Sequence, residues 1–260
     1  MKCYDVIDKL SILSPLHFAQ TWDNVGLLVG RKDREIEKVF IALDATDAAI
    51  EACIFSGAQM LLTHHPLIFS PLKHLTTDDF IGRRIYRLIE HDICYYAMHT
   101  NFDIMGMADC AADELKLRNR DVLQITYEDD ISKEGFGRIG RLPGMMSLAE
   151  CAEYVKRVFQ IPNVKIFGDL ESVVETAAIL PGSGKSAIDE AIYKGADVLI
   201  TGDVDHHSGI DAVAKGLAII DAGHYGVEKI FLPYMKEYFH RELKGLDVAL
   251  EEPAEPFCVR

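Results

Sequence analysis

EACIFSGAQMLLTHH (51–65) and EAIYKGADVLITGD (190–203) are two copies of one pattern within this sequence of 260 residues. Each copy begins with Glu-Ala and continues through Gly-Ala, an apolar run and a threonine, and the second copy is one residue shorter. The glycine is typical of the end of a helix, and the apolar run after it is typical of a buried strand. Any two strand–helix–strand units share that general pattern, but the matched Gly-Ala and Thr positions favour a true duplication.

The sequence on either side of the two copies extends the repeat. Each copy follows an apolar strand that ends in small or polar residues, VFIALDAT (39–46) or AAILPGSGKS (177–186). Each copy also precedes an apolar strand that leads to a histidine, ICYYAMHTNFD (93–103) or LAIIDAGHYGVE (217–228). Near-continuous apolar strands are typical of parallel sheets that helices cover on both faces. We therefore predict an α/β fold of duplicated three-layer α/β/α units, related by an internal pseudo-repeat.

We place the boundary between the two halves near residue 128. The first α/β repeat then covers residues 1–128 and the second covers 129–260. The stretch from about 129 to 175 is less regular, and it predicts extra strand and helix material in the second half. Within it, Ser147 is followed by Glu150 three residues later, which is a capping-box pattern and predicts a helix to about residue 159.

Composition and charge exclude several classes of protein. With 49% hydrophobic and 26% charged residues, the chain has enough apolar surface for a folded core. The formal net charge is −14 and no basic stripe interrupts it, so we expect no non-specific binding to nucleic acids. No apolar run approaches the roughly 18 residues of a membrane span, so we expect no membrane insertion. The scattered cysteines and the absence of a signal-peptide pattern favour the cytoplasm.

A histidine pair follows the apolar strand of the first repeat, at the end of the strand where ligands of α/β sheets gather. His64 and His65 form this pair, and Pro66 disfavours a helix there, so both imidazoles can turn towards one centre. Imidazoles together with carboxylates favour zinc, iron, nickel or manganese. The alternative is one buried, hydrogen-bonded histidine beside a solvated one.

Two further pairs combine a histidine with a carboxylate four residues later. His99 and Asp103 share a face if the segment turns helically, whereas in the alternative Asp103 caps a following helix. His224 and Glu228 lie near a helix start, and a carboxylate there can bridge two cations. The alternative is a polar pair on the surface. Because all three pairs follow strands of one repeated frame, together they favour a metal site.

Other polar residues at the strand ends are weaker candidates. PGSGKS (181–186) resembles a P-loop, but Ile179 occupies the position of the first glycine, so we interpret the segment as a strand-to-helix turn. Asp44 and Thr63 lie at the strand ends of the first repeat. Four residues of the second repeat align with the histidine pair of the first repeat. We interpret them as residues that surround the metal site or face solvent, and not as metal ligands: Asp203, Asp205, His206 and His207.

At these residues the sequence resembles a known family, the GTP cyclohydrolase I type 2 homologues, or YbgI-like proteins. The matching segments span nearly the whole chain: TWDNVGLLVG (21–30), LLTHHPLIF (61–69), HTNFD (99–103), SGKSAIDEA (183–191), GADVLITGD (195–203) and DAGHYGVE (221–228). The resemblance implies two divalent metal ions, zinc, iron, manganese or nickel, held by His64, His65, Asp103, His224 and Glu228. It implies that Glu228 bridges the ions and that the chain forms a toroidal homohexamer whose sites face an internal cavity.

The family name implies opening of the imidazole ring of guanine, whereas the residues themselves indicate metal-activated hydrolysis more generally. We therefore favour a metal-dependent hydrolase that acts on a nucleotide or a related heterocycle. His99 is the catalytic candidate, for proton transfer or for orienting a ligand. The alternatives are a metal-binding, metal-delivery or regulatory protein without turnover, and an interaction scaffold with structural metals.

Overall fold

A computed structural model of the chain describes residues 1–252 and 254–258. In this part of the chain the α-helices are α1 (Cys3–Leu13), α2 (Asp47–Phe55), α3 (Phe80–Glu90), α4 (Thr100–Phe102), α5 (Ala108–Glu114), α6 (Leu148–Val158), α7 (Ile188–Tyr193), α8 (His206–Ala214), α9 (His224–Glu228) and α10 (Phe231–Glu242). Short 3-10 helices cover Leu16–Phe18 and Lys185–Ala187, and a π-helix covers Asp103–Met107. The strands are β1 (Gly26–Val29), β2 (Lys38–Ala42), β3 (Met60–Thr63), β4 (Cys94–Ala97), β5 (Arg118–Glu128), β6 (Lys133–Ser147), β7 (Lys165–Phe167), β8 (Val173–Ser183), β9 (Val198–Gly202), β10 (Ala218–Asp221) and β11 (Asp247–Leu250).

The chain divides into two compact units, each with one sheet. The first unit comprises Met1–Phe102 and Phe231–Ala254, and the second comprises Asp103–Ile230 with the segment that starts at Glu255. The predicted repeat boundary near residue 128 does not coincide with this division. The two divisions differ because of strand pairing. β5 pairs with β6 of the second sheet, and β11 pairs with β2 of the first sheet. The sequence boundary of the duplication stays a prediction.

The topology of the two sheets confirms an α/β fold with repeated units. In the first sheet the strand order is β1-β4-β3-β2-β11, with β1 antiparallel to β4 and the other neighbours parallel. In the second sheet the order is β5-β6-β8-β9-β10-β7, with β7 antiparallel to β10, and β10, β9 and β8 parallel. The run β1-β4-β3-β2 therefore has the same order and directions as β7-β10-β9-β8.

Alternation along the strands shows why each sheet is covered on both faces. In the second unit, Val198 and Ile200 pack among residues of α5 and α6, whereas Leu199 between them packs among residues of α7 and α8. In the first unit, Leu61 packs among residues of α2 and α3, and the next residue, Leu62, is fully buried on the opposite face. Successive side chains of a strand point to opposite faces, so apolar runs without polar alternation produce the predicted three layers.

Local sequence signals fix several helix ends. The capping box predicted at Ser147 is present, because its hydroxyl accepts the N–H of Glu150 at 3.2 Å and its own N–H donates to the Glu150 carboxylate at 2.8 Å. The PGSGKS segment ends β8 and leads through the short 3-10 helix into α7, as predicted for a strand-to-helix turn. Among the helices in the described ranges, none combines the length and apolar character needed to cross a bilayer.

Candidate metal centre

In the first unit, two neighbouring parallel strands bring three histidines together. Thr63 of β3 pairs with Ala97 of β4, so His64, His65 and His99 all follow the same edge of the sheet. The ring centroids of His64 and His65 are 4.8 Å apart, and His99 lies 5.4 Å from the first and 5.5 Å from the second. One nitrogen of each ring lies within 4.8 Å of the others. The predicted convergence of the adjacent histidines therefore occurs.

A buried tyrosine holds the turn that carries the histidine pair. The Tyr95 hydroxyl accepts the N–H of Leu67 at 2.7 Å and donates to the carbonyl of His65 at 3.1 Å. The Thr63 hydroxyl also donates to the His65 carbonyl, at 2.7 Å. Burial raises the pKa of Tyr95 to about 12, so its hydroxyl remains protonated and can make these bonds at neutral pH. Backbone groups of the turn are thus fixed from inside the unit.

In both members of the histidine pair, Nδ1 lies within hydrogen-bond distance of an oxygen acceptor. His64 Nδ1 lies 2.7 Å from the carbonyl oxygen of Met98, and His65 Nδ1 lies 2.9 Å from Asp44 Oδ1. Carbonyl and carboxylate oxygens accept hydrogen bonds, so Nδ1 is the donating nitrogen of each ring. Metal-binding histidines usually have such a partner behind them. Asp44, a weaker candidate in the sequence, therefore orients His65.

Asp23 plays the same part for the third histidine. Its buried carboxylate accepts from His99 Nδ1 at 2.9 Å and from the N–H of Thr100 at 3.0 Å. Burial raises the pKa of Asp23, but the hydrogen bonds from His99 and Thr100 more than offset it and leave the pKa at about 2. Asp23 is therefore a carboxylate at neutral pH, and it holds the proton of His99 on Nδ1.

In the second unit, α9 and the π-helix carry a second group of ligand-type residues. His224 and Glu228 are the first and last residues of α9, and His224 Nε2 lies 3.0 Å from Glu228 Oε2. Two atoms each about 2.1 Å from one ion lie roughly 3.0–3.4 Å apart, so this spacing suits two ligands of one cation. Asp103 begins the π-helix, and one of its oxygens lies within 4.8 Å of one from Glu228. Single π turns often occur at functional sites.

The loop after β9 orients the histidine of α9. Asp203 Oδ2 lies 2.7 Å from His224 Nδ1, the arrangement found for the histidines of the first unit. Asp203 has φ of +57°, a left-handed conformation that is uncommon outside glycine and is often kept for a functional reason. The buried Asp221 accepts the N–H groups of Val204 and Gly223, both at 3.1 Å, and so fixes the backbone on both sides of this pair.

Two glycines at the strand ends make room for α9. A Cβ atom on Gly182 would lie 2.5 Å from Glu228 Oε1, and one on Gly202 would lie 2.5 Å from the backbone nitrogen of His224. Gly182 also has φ of +76°, where any other residue is strained. Gly182, the first glycine of the PGSGKS turn, is therefore needed for the approach of Glu228.

The remaining candidates of the second repeat have other roles. Asp205 caps α8 by accepting the N–H of Ser208 at 3.0 Å, and it pairs with Lys185 at 2.8 Å. The Lys185 hydrogen bond, followed by those from Ser208, holds the pKa of Asp205 below its usual range. His206 and His207 are exposed on α8, and neither joins a group of metal-ligand type within the described residues.

The donor chemistry of both units fits divalent cations. The first unit offers imidazole nitrogens, and the second offers one imidazole and two carboxylates. This mixture suits zinc, iron, manganese or nickel, and the protein residues behind each histidine are those that metal-binding histidines require. The clusters can therefore hold metal.

A sequence model of the Duf34/NIF3 (NGG1p interacting factor 3) family matches residues 1–254 of the chain. The chain belongs to the Duf34/NIF3 family. One relative is the "GTP cyclohydrolase 1 type 2 homolog" of Clostridium perfringens (strain 13 / Type A), which is 36% identical over 230 residues, 88% of this chain and 87% of the relative. These matches confirm the family predicted from the sequence motifs.

Two solved structures share the fold of this chain. A Bacillus cereus protein related to NIF3 has a TM-score of 0.91 at 25% identity, covering 100% of this chain and 99% of that one. Reduced HcgD from Methanocaldococcus jannaschii has a TM-score of 0.83 at 33% identity, covering 96% of this chain and 97% of that one. The architecture described above is therefore shared over nearly the whole chain.

For this Duf34/NIF3 chain, the structure groups the predicted residues unit by unit. It brings His64 and His65 together with His99 in the first unit, and Asp103 and His224 each close to Glu228 in the second. Their roles as metal ligands stay a prediction. Sequence reasoning missed Asp23 and Tyr95, which hold His99 and the histidine turn. The only available signal was the position of Asp23 inside the matched TWDNVGLLVG segment.

Proposed function

We propose that this Duf34/NIF3 protein binds two divalent metal ions and hydrolyses a nucleotide or a related heterocycle. The support that carries the proposal is the hydrogen bonding of the histidines, because an oxygen acceptor lies at the Nδ1 atom of each of them, as is usual for histidines that bind a metal through Nε2. The name of the Clostridium perfringens relative supports a nucleotide substrate. The proposed ligands are those that the family resemblance implies: His64, His65, Asp103, His224 and Glu228.

The proposed chemistry divides between the metals and the protein. Divalent cations held by the proposed ligands would lower the pKa of a water and polarise the bond under attack. His99 is the proposed proton-transfer residue, because its Nδ1 donates a hydrogen bond to Asp23, which leaves Nε2 as the atom at which a proton is taken up or released. The Asp23 carboxylate, buried beside the ring, would stabilise the positive charge of the protonated imidazole.

Metal delivery without turnover is the second candidate function. Its support is exposure, because the side chain of His224 is 36% exposed and that of His65 is 19% exposed. Ligands that solvent reaches allow a bound ion to exchange with an acceptor molecule. Under this proposal, the protein exchanges bound metal rapidly and hydrolyses nothing.

One set of measurements separates these candidates. The metal content of the purified protein is measured by elemental analysis, and metal-loaded protein is assayed against a panel of nucleotides and free heterocycles. We expect two ions per chain and hydrolysis, and we expect His64→Ala and Glu228→Gln each to lose metal and activity. His206→Ala is the matched control, because that histidine is exposed on α8, and it should retain both.

Two outcomes would count against metal-dependent hydrolysis. Turnover that survives His64→Ala would remove the proposed ligands from the mechanism. Full metal content with rapid exchange to a chelator, and no hydrolysis across the panel, would favour metal delivery instead.

The family resemblance also supports proposals on assembly and location. We propose a toroidal homohexamer, which light scattering on a sizing column would detect as six times the 29.1 kDa of one chain. A mass of one or two chains would contradict it. The scattered cysteines support a cytoplasmic location, which cell fractionation would test.

A further inference from the structure

Two large aromatic side chains stand in solvent at the edge of the histidine cluster of the first unit. Trp22 is 59% exposed and Phe69 is 49% exposed. Their ring centroids are 6.1 Å apart and their planes differ by 18°, so the two rings are nearly parallel. A single exposed apolar residue needs no explanation, but an adjoining parallel pair forms a local apolar surface of the kind that binds ligands.

Both rings contact the histidine that Asp23 holds. The Trp22 and His99 centroids are 6.0 Å apart and the Phe69 and His99 centroids are 5.7 Å apart, with the rings edge to face in both cases. His99 in turn lies 5.4 Å from His64 and 5.5 Å from His65. The aromatic pair is therefore one ring removed from the proposed metal ligands.

The exposed rings are carried by backbone that is firmly held. The N–H of Asp23 donates to the carbonyl of Gln20 at 2.9 Å, and the N–H of Gln20 donates to Thr100 Oγ1 at 2.9 Å. The Asn24 side chain donates to the carbonyl of Ile68 at 2.6 Å, which ties the two ring-bearing segments together. The polar groups of these segments make hydrogen bonds within the protein, whereas the aromatic rings remain exposed. A surface held in this way is preorganised for binding.

We propose that Trp22 and Phe69 form a stacking platform for the planar heterocyclic ring of the substrate. This rests on the proposed function and specifies its substrate class, a purine, pteridine or similar flat ring system. Stacked aromatic rings have centroids about 4.5–7 Å apart, so a ring on this platform comes within reach of His99. Stacking on aromatic side chains tolerates different bases, because each base has a π face, so the platform selects a flat ring and not one hydrogen-bond pattern.

The chain supplies its own reporter for this platform. Trp22 is the only tryptophan, so the intrinsic tryptophan fluorescence of the full-length protein comes from the platform alone. Metal-loaded protein is titrated with guanosine monophosphate, adenosine monophosphate and a pteridine, and with ribose 5-phosphate as the probe that has the sugar phosphate but no base. We expect saturable quenching by the three ring-bearing probes and none by ribose 5-phosphate.

Substitutions of the second ring test the stacking itself while Trp22 remains to report. Phe69→Ala should raise the probe concentration at the quenching midpoint roughly tenfold, as expected for the loss of one stacking partner. Phe69→Tyr keeps a ring and should restore binding. Phe55→Ala is the matched control, because Phe55 is 96% exposed at the end of α2, and it should bind as the unaltered protein does.

Several results would overturn the proposal. These are equal quenching by ribose 5-phosphate, no quenching by any ring-bearing probe, or an unchanged midpoint in Phe69→Ala. Fluorescence that changes with protein concentration but not with probe would assign the rings to contact between copies of the chain. Quenching with the expected variant effects but no hydrolysis across the panel would refute the hydrolase and keep the platform. Hydrolysis with KM and the quenching midpoint unchanged in Phe69→Ala would refute the platform alone.

Discussion

Replacing Gly182 with alanine would place a methyl group against the carboxylate of Glu228. The added Cβ would lie 2.5 Å from Glu228 Oε1, well inside a normal carbon–oxygen contact, so the carboxylate has to move. Functional groups need to be held within about 0.5 Å of their working position, and relieving this clash requires a shift of at least about that size. We therefore expect Gly182→Ala to weaken metal binding by about 10–100-fold, as does removal of an outer partner of a metal ligand.

The same substitution also strains the backbone, and a matched glycine separates the two effects. Gly182 and Gly195 both have φ of +76°, but a Cβ on Gly195 would meet nothing within 4 Å. A left-handed alanine costs about 1–2 kcal/mol, so both variants should lose that much free energy of unfolding. Only Gly182→Ala should also lose metal affinity.

Two measurements check this prediction. Urea unfolding of metal-free protein gives the free energy of unfolding of each variant, and competition with a chromophoric chelator gives its metal affinity. The reasoning is refuted if Gly182→Ala binds metal as tightly as Gly195→Ala does. If both variants bind metal equally but more weakly than the unaltered protein, backbone strain alone explains the loss of affinity.

Two further predictions concern the residues that hold the histidines. Tyr95→Phe should lower the free energy of unfolding by about 1–3 kcal/mol at neutral pH, because the N–H of Leu67 loses its acceptor. Burial raises the pKa of Tyr95 from 10.0 to about 12, so the contribution of its neutral hydroxyl is complete below pH 10 and is lost as the pH rises through 12. Urea titrations of both proteins from neutral pH to pH 12 should show a shallower decline for Tyr95→Phe, and equal declines would contradict the assignment. Asp203→Ala should weaken metal affinity about 10–100-fold because His224 Nδ1 loses its acceptor, whereas Asp211→Ala, an exposed position on α8, should not; chelator competition that finds the two variants alike would count against it.

The sequence allowed prediction of those features that repeat along the chain. Apolar runs without alternation indicated covered parallel strands, and the histidines just after them had to meet because neighbouring parallel strands end at one edge. This is why the convergence of His64, His65 and His99 in the first unit could be anticipated in outline.

Features that depend on long-range contacts were out of reach. Asp23 meets His99 across 76 positions of sequence, and no periodicity or spacing marks such a pair. The pairing of β11 with β2 is of the same kind, because it joins two segments that lie far apart in the sequence. The π-helix at Asp103 has no sequence signal of its own, because the spacing of His99 and Asp103 predicts only that the segment turns helically.

The return of β11 to β2 has a consequence for the order in which the protein can be completed on the ribosome. Each repeat leaves one edge of its parallel strands open, and an uncovered edge invites pairing with another chain. In the second unit β6 closes that edge, and it is synthesised before the strand it protects. In the first unit the edge of β2 stays open until Asp247–Leu250 has been synthesised. The N–H of Leu43 likewise gains its acceptor late, the Glu251 carboxylate at 2.9 Å. The half of the molecule that is made first is therefore the last to be sealed, and a nascent chain carries an exposed strand through most of its synthesis.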